Sequence, residues 1–374
     1  MRALLLCVLF AFGVLPASAQ TAASVASPTR RATTEIGALQ KVPYRIDIPA
    51  NWNRGVVVYF HGYEIDPVRF TNDEPLPSMF APLLNDGFAV IQSAYSQTGW
   101  AVEQGSADSE RLRTYFVAKH GQPEQTFAVG LSMGGTLTVM AMESEPQVYD
   151  GGLSLCGVIE ATDRMMRRDF ALRAAFDYYF PGVLGKLVPV AVDFVPSEAI
   201  EARIASAMHA NPEGTAAVRA IYRTGDSSSL PGVIVSLTYD IMEMQRRAHG
   251  NPFGNANLIY TGPIDAYALN DGVKRYRADP RAAAYLSRWY TPTGKLLKPL
   301  LALHDTGDTL VVASTPFEYA LLAQRAGHAD NFVQQYVNAE GHCNFTAEQI
   351  SRAFDELVEW SRAGKRPRAG RLPK

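Results

Sequence analysis

The stretch 126–136 constrains the fold more than any other part of the sequence. A β-prone run ends in Gly-Leu-Ser-Met-Gly at 130–134, and small and apolar residues follow at helical spacing. A G-x-S-x-G motif between a strand and a helix is typical of a nucleophile elbow, a turn so tight that its serine takes a sparsely populated backbone conformation. Gly130 and Gly134 lack a Cβ atom, so strand and helix can pass at close range. The free N–H groups of the helix then point at any anion that forms above Ser132.

Apolar strands alternate with helical segments through most of the sequence, which predicts a mostly parallel sheet with helices on both faces. Ligands bind such sheets beyond the carboxyl ends of the strands. Four polar residues stand at the ends of predicted strands, and we expect them to converge at one edge of the sheet. They are His61, Ser93, Ser132 and Cys156.

A long helical segment separates the strand at 152–155 from the next apolar strand at 299–303. A plain crossover between parallel strands needs about a dozen residues or more, so most of this segment is an insertion. Asp279-Pro280, an N-cap followed by proline at the first helical position, marks the start of one of its helices. We predict a helical lid over residues 161–295. The alternative is a separate domain whose function is unrelated to the sheet. Its many aromatic and methionine side chains either contact an apolar substrate or form the core of the lid itself.

The N-terminus has the features of a secretory signal peptide over residues 1–19. Arg2 precedes a short apolar run, and residues 17–19 form an A-x-A cleavage motif. The run is too short to span a membrane, so we expect an exported protein, secreted or periplasmic, without stable membrane insertion. Residues 20–42 are rich in Ala, Ser and Thr and predict a flexible lead-in. Residues 363–374 form a basic tail, which we expect to be solvated.

A serine hydroxyl becomes a good nucleophile only when a base removes its proton and an acid orients that base. Ser132, Asp308 and His342 occur in the chain order serine, aspartate, histidine, and each follows a predicted strand. We therefore predict that Asp308 is the acid and His342 the base. Asp305 is the alternative acid, because it lies three residues earlier in the same Asp-Thr-Gly-Asp turn.

With this order and the elbow, the sequence from about Val42 to Gly364 resembles serine hydrolases of the α/β-hydrolase fold, of the secreted, lid-bearing esterase kind. The resemblance implies a mostly parallel, doubly wound sheet. Its core would comprise residues 43–160 and 296–362, with the lid inserted before the acid-bearing strand.

The same resemblance implies an oxyanion hole built from two backbone N–H groups. One is the N–H of Met133, which follows the nucleophile, and the other is that of Tyr63 in the loop after the first buried strand. Gly62 is the alternative second donor, because the sequence His-Gly-Tyr at 61–63 lacks the longer glycine run of many lipases.

Two cysteines, Cys156 and Cys343, remain outside the signal segment. An even number of cysteines in an oxidising compartment favours a disulfide. Both fall at the expected active edge, and Cys343 follows the proposed base. We predict a disulfide that joins the loop of His342 to the sheet; a pair of buried thiols is the alternative.

Composition and motifs restrict the kind of partner. The net charge is −2, and no long basic stripe argues for nucleic acid. The sequence shows neither metal-ligand spacing nor a G-x-G-x-x-G motif, so we expect neither a metal nor a cofactor.

We predict hydrolysis of small-molecule carboxylic esters through an acyl-enzyme. The alternatives are a serine peptidase or amidase and a hydrolase-like binding protein without turnover; the oligomeric state stays open.

Overall fold

A computed structural model describes residues 32–71, 78–222, 230–308 and 310–372. The predicted signal peptide and the first part of the lead-in lie outside these ranges. The strands of the described residues form one sheet. They are β1 Thr33–Leu39, β2 Val42–Ile48, β3 Gly55–Phe60, β4 Ala89–Ser93, β5 Gln125–Leu131, β6 Gly151–Leu155, β7 Leu300–Gly307, β8 Phe332–Glu340 and β9 Gly370–Arg371.

The order of the strands across the sheet is β1-β2-β4-β3-β5-β6-β7-β8-β9. Within the described ranges, β2 is antiparallel to both of its neighbours and every other pairing is parallel. The strands that follow one another from β5 to β8 are also neighbours in space. Their carboxyl ends therefore lie side by side at one edge, as the sequence predicts.

Helices cover both faces of this sheet. They are α1 Ala81–Asn85, α2 Val102–His120, α3 Met133–Ser144, α4 Thr162–Tyr179, α5 Glu198–Ala210, α6 Pro212–Tyr222, α7 Leu230–Arg247, α8 Ala266–Gly272, α9 Pro280–Arg288, α10 Thr315–Arg325 and α11 Ala347–Ala363. None of the helices in the described ranges is both long and apolar enough to cross a lipid bilayer.

Two apolar layers separate the sheet from its helices. Successive strand residues point to opposite faces, and both faces of β3 are buried. Val56 belongs to the layer of Phe116 on α2 and Leu137 on α3. Val57 belongs to the layer of Phe354 on α11. The predicted mostly parallel, doubly wound sheet is confirmed, and its double burial explains why the central strands are continuously apolar.

Helices α4 to α9 are inserted between β6 and β7, within the range 161–295 of the predicted lid. They pack largely on one another, with α4 in contact with α6, α7, α8 and α9. The Asp279 side chain accepts the N–H of Arg281 at 2.8 Å and caps α9. Phe176 and Met244 are fully buried, so these apolar side chains form the core of the insertion.

The structure corrects both predicted ends of the fold. The flexible lead-in over 20–42 is wrong from Thr33 onward, because β1 pairs with β2 along its whole length. The carboxylate of Glu35 accepts the hydroxyls of Tyr44 at 2.9 Å and Tyr115 at 2.8 Å, which joins β1 to β2 and α2.

The basic tail over 363–374 is likewise not simply solvated. Its residues Gly370–Arg371 form β9 and extend the sheet beside β8. The guanidinium of Arg366 donates to the carbonyl of Phe332 at 2.8 Å. The last residues, 373–374, lie outside the described ranges.

We expect Gly134→Ala to destabilise the protein strongly. A Cβ at this position would lie 2.0 Å from the carbonyl oxygen of Phe60, which is backbone of the buried strand β3. Overpacking of this kind costs about 1–3 kcal/mol and sometimes more, so the urea midpoint should fall by the equivalent of about 3 kcal/mol. Gly185→Ala is the control, because a Cβ there meets no atom within 4 Å. Equal midpoints for the two variants would contradict the close approach of helix and strand.

Candidate active site

Ser132 lies in the turn between β5 and α3 with backbone angles φ +55° and ψ −119°. This conformation is unfavourable for a residue with a side chain. Hydrogen bonds hold it on both sides: the N–H of Ser132 donates to the carbonyl of Leu155 at 2.9 Å, and its carbonyl accepts the N–H of Gly135 at 2.8 Å. A Cβ at Gly130 would lie 2.1 Å from the carbonyl oxygen of Gly134. The tight passage of strand and helix predicted from the two glycines is therefore present.

His342 follows β8 and contacts the two other residues of the predicted triad. Its Nε2 lies 2.8 Å from Oγ of Ser132, and its Nδ1 lies 2.7 Å from Oδ2 of Asp308. The carboxylate accepts, so Nδ1 carries the hydrogen and Nε2 is left to accept the serine hydroxyl. The structure thus brings together the nucleophile, base and acid that the sequence singles out.

The carboxylate of Asp308 is fully buried and has several donors. Its Oδ1 accepts the N–H groups of Leu310 at 2.9 Å and Val311 at 2.8 Å, while Oδ2 accepts His342. His304 supports the same loop through a 2.8 Å hydrogen bond from Nε2 to the carbonyl of Val311. Burial lowers the pKa of His304. Three donors compensate for the desolvation of the carboxylate and fix its direction.

Asp305, the alternative acid, has a different place. It lies within β7 and is fully buried, and its Oδ2 accepts the N–H of Asn344 at 2.8 Å. Burial raises the pKa of Asp305, and the hydrogen bond from Asn344 opposes this shift. Asp305 therefore holds the backbone just beyond the histidine, whereas Asp308 contacts the ring.

A disulfide joins Cys156 at the end of β6 to Cys343, with Cα atoms 5.3 Å apart. The pairing predicted from the sequence is present. Sγ of Cys343 lies 3.4 Å from Nε2 of His342. These two cysteines and His342 lie as close together as metal ligands, but sulfurs bonded to each other supply no thiolates.

Two backbone segments border Ser132 at the predicted oxyanion hole. Met133 is the first residue of α3, so its N–H has no acceptor within the helix. A Cβ at Gly62 would lie 3.5 Å from that of Ser132, which places the loop before Tyr63 directly beside the nucleophile. Both segments that carry the predicted donors, including the alternative Gly62, are thus at the serine.

His61 fixes the peptide between Gly62 and Tyr63. Its Nδ1 donates to the carbonyl of Gly62 at 2.8 Å, and its ring stacks on that of Tyr95 with centroids 3.7 Å apart. Burial lowers the pKa of His61 to about 4, so the ring is neutral near pH 7. The contact requires a hydrogen on Nδ1, so the neutral ring has none on Nε2.

Polar side chains of the inserted helices lie near this edge, although no sequence motif marks them. The carboxyl group of Asp240 is in hydrogen-bonding range of the Tyr63 hydroxyl. Asp169 and Asp308 both influence the hydroxyl of Tyr222 electrostatically. Burial raises the pKa of Asp240 to about 8 and that of Asp169 to about 7. The insertion thus contributes two carboxyl groups whose burial favours the neutral, protonated form.

Comparison with known proteins gives distant relatives. No protein-family model matches the sequence. The o-phthalyl amidase of Xanthobacter agilis is 23% identical over an alignment of 408 positions including gaps, which covers 90% of this chain and 88% of the amidase. An esterase of Pyrococcus furiosus matches in structure with a TM-score of 0.44 and 12% identity, over 88% of this chain and 89% of the esterase. An acylaminoacyl peptidase of Pyrococcus horikoshii matches with a TM-score of 0.45 and 10% identity, over 90% of this chain and 42% of the peptidase.

The strand order and the elbow after β5 give this chain the α/β-hydrolase fold predicted from its sequence. A serine hydrolase of this fold fits the contacts around Ser132 and the distant amidase relative.

We expect Asp240→Asn to reduce the loss of stability with rising pH. Between about pH 4, the ordinary pKa of an aspartate, and the raised value of about 8, the folded protein holds a proton that the unfolded chain has released. The stability contributed by Asp240 is therefore complete below about pH 4 and is lost as the pH rises through about 8. Urea denaturation at intervals of pH should show the unfolding free energy of the wild type falling relative to that of the variant.

The exposed Asp193 of the insertion provides the control for this measurement. Asp193→Asn should follow the wild-type curve across the whole pH range. Parallel curves for the wild type and Asp240→Asn would show that burial does not hold a proton on Asp240.

Proposed function

We propose that this chain is a serine hydrolase that cleaves carboxylic esters through an acyl-enzyme. The observation that carries the proposal is the continuous hydrogen-bonded line from Ser132 through His342 to Asp308, with distances of 2.8 and 2.7 Å. A serine, an imidazole and a buried carboxylate in this order are the requirements of nucleophilic acyl transfer.

In the proposed reaction, Nε2 of His342 takes the proton of Ser132 while Oγ attacks the carbonyl carbon. The N–H groups of Met133 and Tyr63 receive the oxyanion, and each such donor is worth roughly 3–4 kcal/mol of barrier. The imidazolium, oriented by Asp308, then protonates the leaving alcohol. Water enters and repeats the cycle, with His342 again as base, to release the acid and the free serine.

Amide hydrolysis is the second candidate, and the distant relationship to o-phthalyl amidase favours it. The triad and the oxyanion donors serve both reactions, because both pass through a tetrahedral intermediate. They differ in the leaving group: an amine must be protonated by His342 before it departs, whereas an alcohol leaves more readily. Contacts to the leaving group therefore decide between them.

The proposal extends to place and partner. The signal-like segment 1–19 and the disulfide between Cys156 and Cys343 both support export to an oxidising compartment. The substrate would be a small molecule, taken up beneath the inserted helices, which would act as a lid over the edge of the sheet.

We expect a fluorophosphonate probe to label Ser132 and no other residue. The labelling needs a serine whose proton a neighbouring base takes as Oγ attacks, beside an oxyanion hole. Ser132→Ala should therefore abolish both labelling and hydrolysis of nitrophenyl esters without loss of fold. Ser144→Ala, which alters an exposed serine on the same helix α3, should label and hydrolyse as the wild type does. Labelling that survives in Ser132→Ala, or its absence from the wild type, would rule out the proposed nucleophile.

Paired substrates test the preference for esters. A nitrophenyl ester and a nitroanilide that share one acyl group differ in the leaving group alone. We expect kcat/KM to be higher for the ester across a panel of acyl groups, with both activities lost in Ser132→Ala. A panel in which the anilides are cleaved as fast as the esters would instead identify an amidase.

A further inference from the structure

We propose that Glu243 is a positioning residue for this reaction, because it fixes the loop that carries the Tyr63 N–H. The inference rests on the function proposed above, in which that N–H receives the oxyanion. Glu243 lies on α7 of the insertion and is only 1% exposed. Burying a carboxylate to this degree reduces the stability of the folded protein unless donors surround it. The hydrogen-bond partners of Glu243 therefore indicate its role.

The carboxylate of Glu243 joins two loops at the edge of the sheet to α7. Its Oε2 accepts the hydroxyl of Tyr63 at 2.9 Å. The N–H of Trp100 lies 3.1 Å from Oε1 and 3.0 Å from Oε2. Gly99 leaves the space for this approach, since a Cβ there would lie 2.0 Å from Oε1. The loop after β3 and the loop after β4 are thus fixed to the insertion through one side chain.

Arg247 keeps the carboxylate in place. Its Nε lies 2.6 Å from Oε1 of Glu243, and the two side chains are 5% and 1% exposed. The guanidinium also donates to the carbonyl of Thr98 and, at 3.0 Å, to the side chain of Gln97. Loss of either partner of such a pair leaves an uncompensated buried charge. The pair and the loop before Trp100 therefore form one unit.

This hydrogen-bonded unit helps to fix the direction in which the Tyr63 N–H points. The carbonyl of Gly62 and the N–H of Tyr63 belong to one planar peptide and point in opposite directions. His61 holds the carbonyl at 2.8 Å, and Glu243 holds the far end of the Tyr63 side chain. With both ends held, the N–H is oriented before a substrate arrives, as a preorganised oxyanion donor requires.

Kinetics of Glu243→Gln, Tyr63→Phe and the double variant test the proposal. The value of kcat on a nitrophenyl ester is divided by the concentration of sites that fluorophosphonate labels, which removes any loss of folded protein. We expect Glu243→Gln to lower this kcat about tenfold and Tyr63→Phe to lower it further, with KM nearly unchanged in both, because a displaced oxyanion donor affects the transition state most. The effects of the two changes should be less than additive in the double variant, since both remove the link between Tyr63 and Glu243.

Tyr179→Phe is the matched control. It removes another tyrosine–carboxylate hydrogen bond of the insertion, the one to Asp265 at 2.8 Å, and should keep the wild-type kcat per labelled site. Tyr63→Phe keeps the test decisive if Glu243→Gln fails to fold, because it removes a hydroxyl and little else. Asp240 also faces that hydroxyl, so Tyr63→Phe should have the larger effect of the two single variants.

Two results would overturn the inference, and the activity and labelling of the wild-type protein distinguish them. If the wild type is active and Glu243→Gln keeps its kcat per labelled site, or Tyr63→Phe does so where Glu243→Gln fails to fold, Glu243 serves stability alone, even when the denaturation midpoint falls. If the wild type neither labels nor hydrolyses esters or anilides, the proposed function fails, and the inference fails with it.

Discussion

The close approach of α3 to the carboxyl ends of β3, β5 and β6 is the constraint on which the rest of the site depends. A Cβ at Gly130 would meet the carbonyl of Gly134, and one at Gly135 would lie 2.5 Å from Cα of Gly157. Glycines on both sides let the helix sit directly on the strand ends. The turn that results pushes Ser132 out of the sheet edge and brings the positive end of α3 to the place where, in the proposed reaction, negative charge develops. Strain at one residue is the consequence, and the hydrogen bonds to Leu155 and Gly135 offset it.

The base is held by the neighbouring strands in a different way. Ser132, Cys156, Asp308 and His342 follow β5, β6, β7 and β8, which are neighbours in space in that same order. The disulfide fixes the chain just after the imidazole, Asp305 fixes the next N–H, and Asp308 fixes the ring itself. The orientation of the His342 side chain is thus determined by three anchors on two adjacent strands. In the proposed reaction, little reorganisation would therefore remain for the proton transfer.

The sequence predicts the features that local chemistry marks and misses those that depend on distant partners. Glycines around a serine and the chain order of the triad suffice to find Ser132 and His342. They favour Asp308 but leave Asp305 as an alternative, because only the structure shows that Asp305 lies within β7 and that Asp308 follows the strand. Strand β1 escapes prediction because its composition is weakly β-like and its stability comes from pairing with β2 and from Glu35. No local sequence pattern marks Glu243 either, because its role depends on contacts to loops that lie more than a hundred residues away in the sequence.

The insertion is anchored by buried charge as well as by apolar packing, and this bears on selectivity. Arg173 is fully buried and donates to the Thr238 hydroxyl at 3.0 Å and to the carbonyl of Gly185 at 3.1 Å. Directional contacts of this kind suit one arrangement of the helices. The aromatic and methionine side chains between these helices fill the core of the insertion. The insertion also carries carboxyl groups toward this edge: that of Asp240 is in hydrogen-bonding range of the Tyr63 hydroxyl, and that of Asp169 acts electrostatically on the Tyr222 hydroxyl. If the proposed function holds, we expect a site bounded in this way to select among acyl donors by hydrogen bonding and charge more than by apolar area, because a buried polar group left unpaired by a substrate costs more than a missing apolar contact.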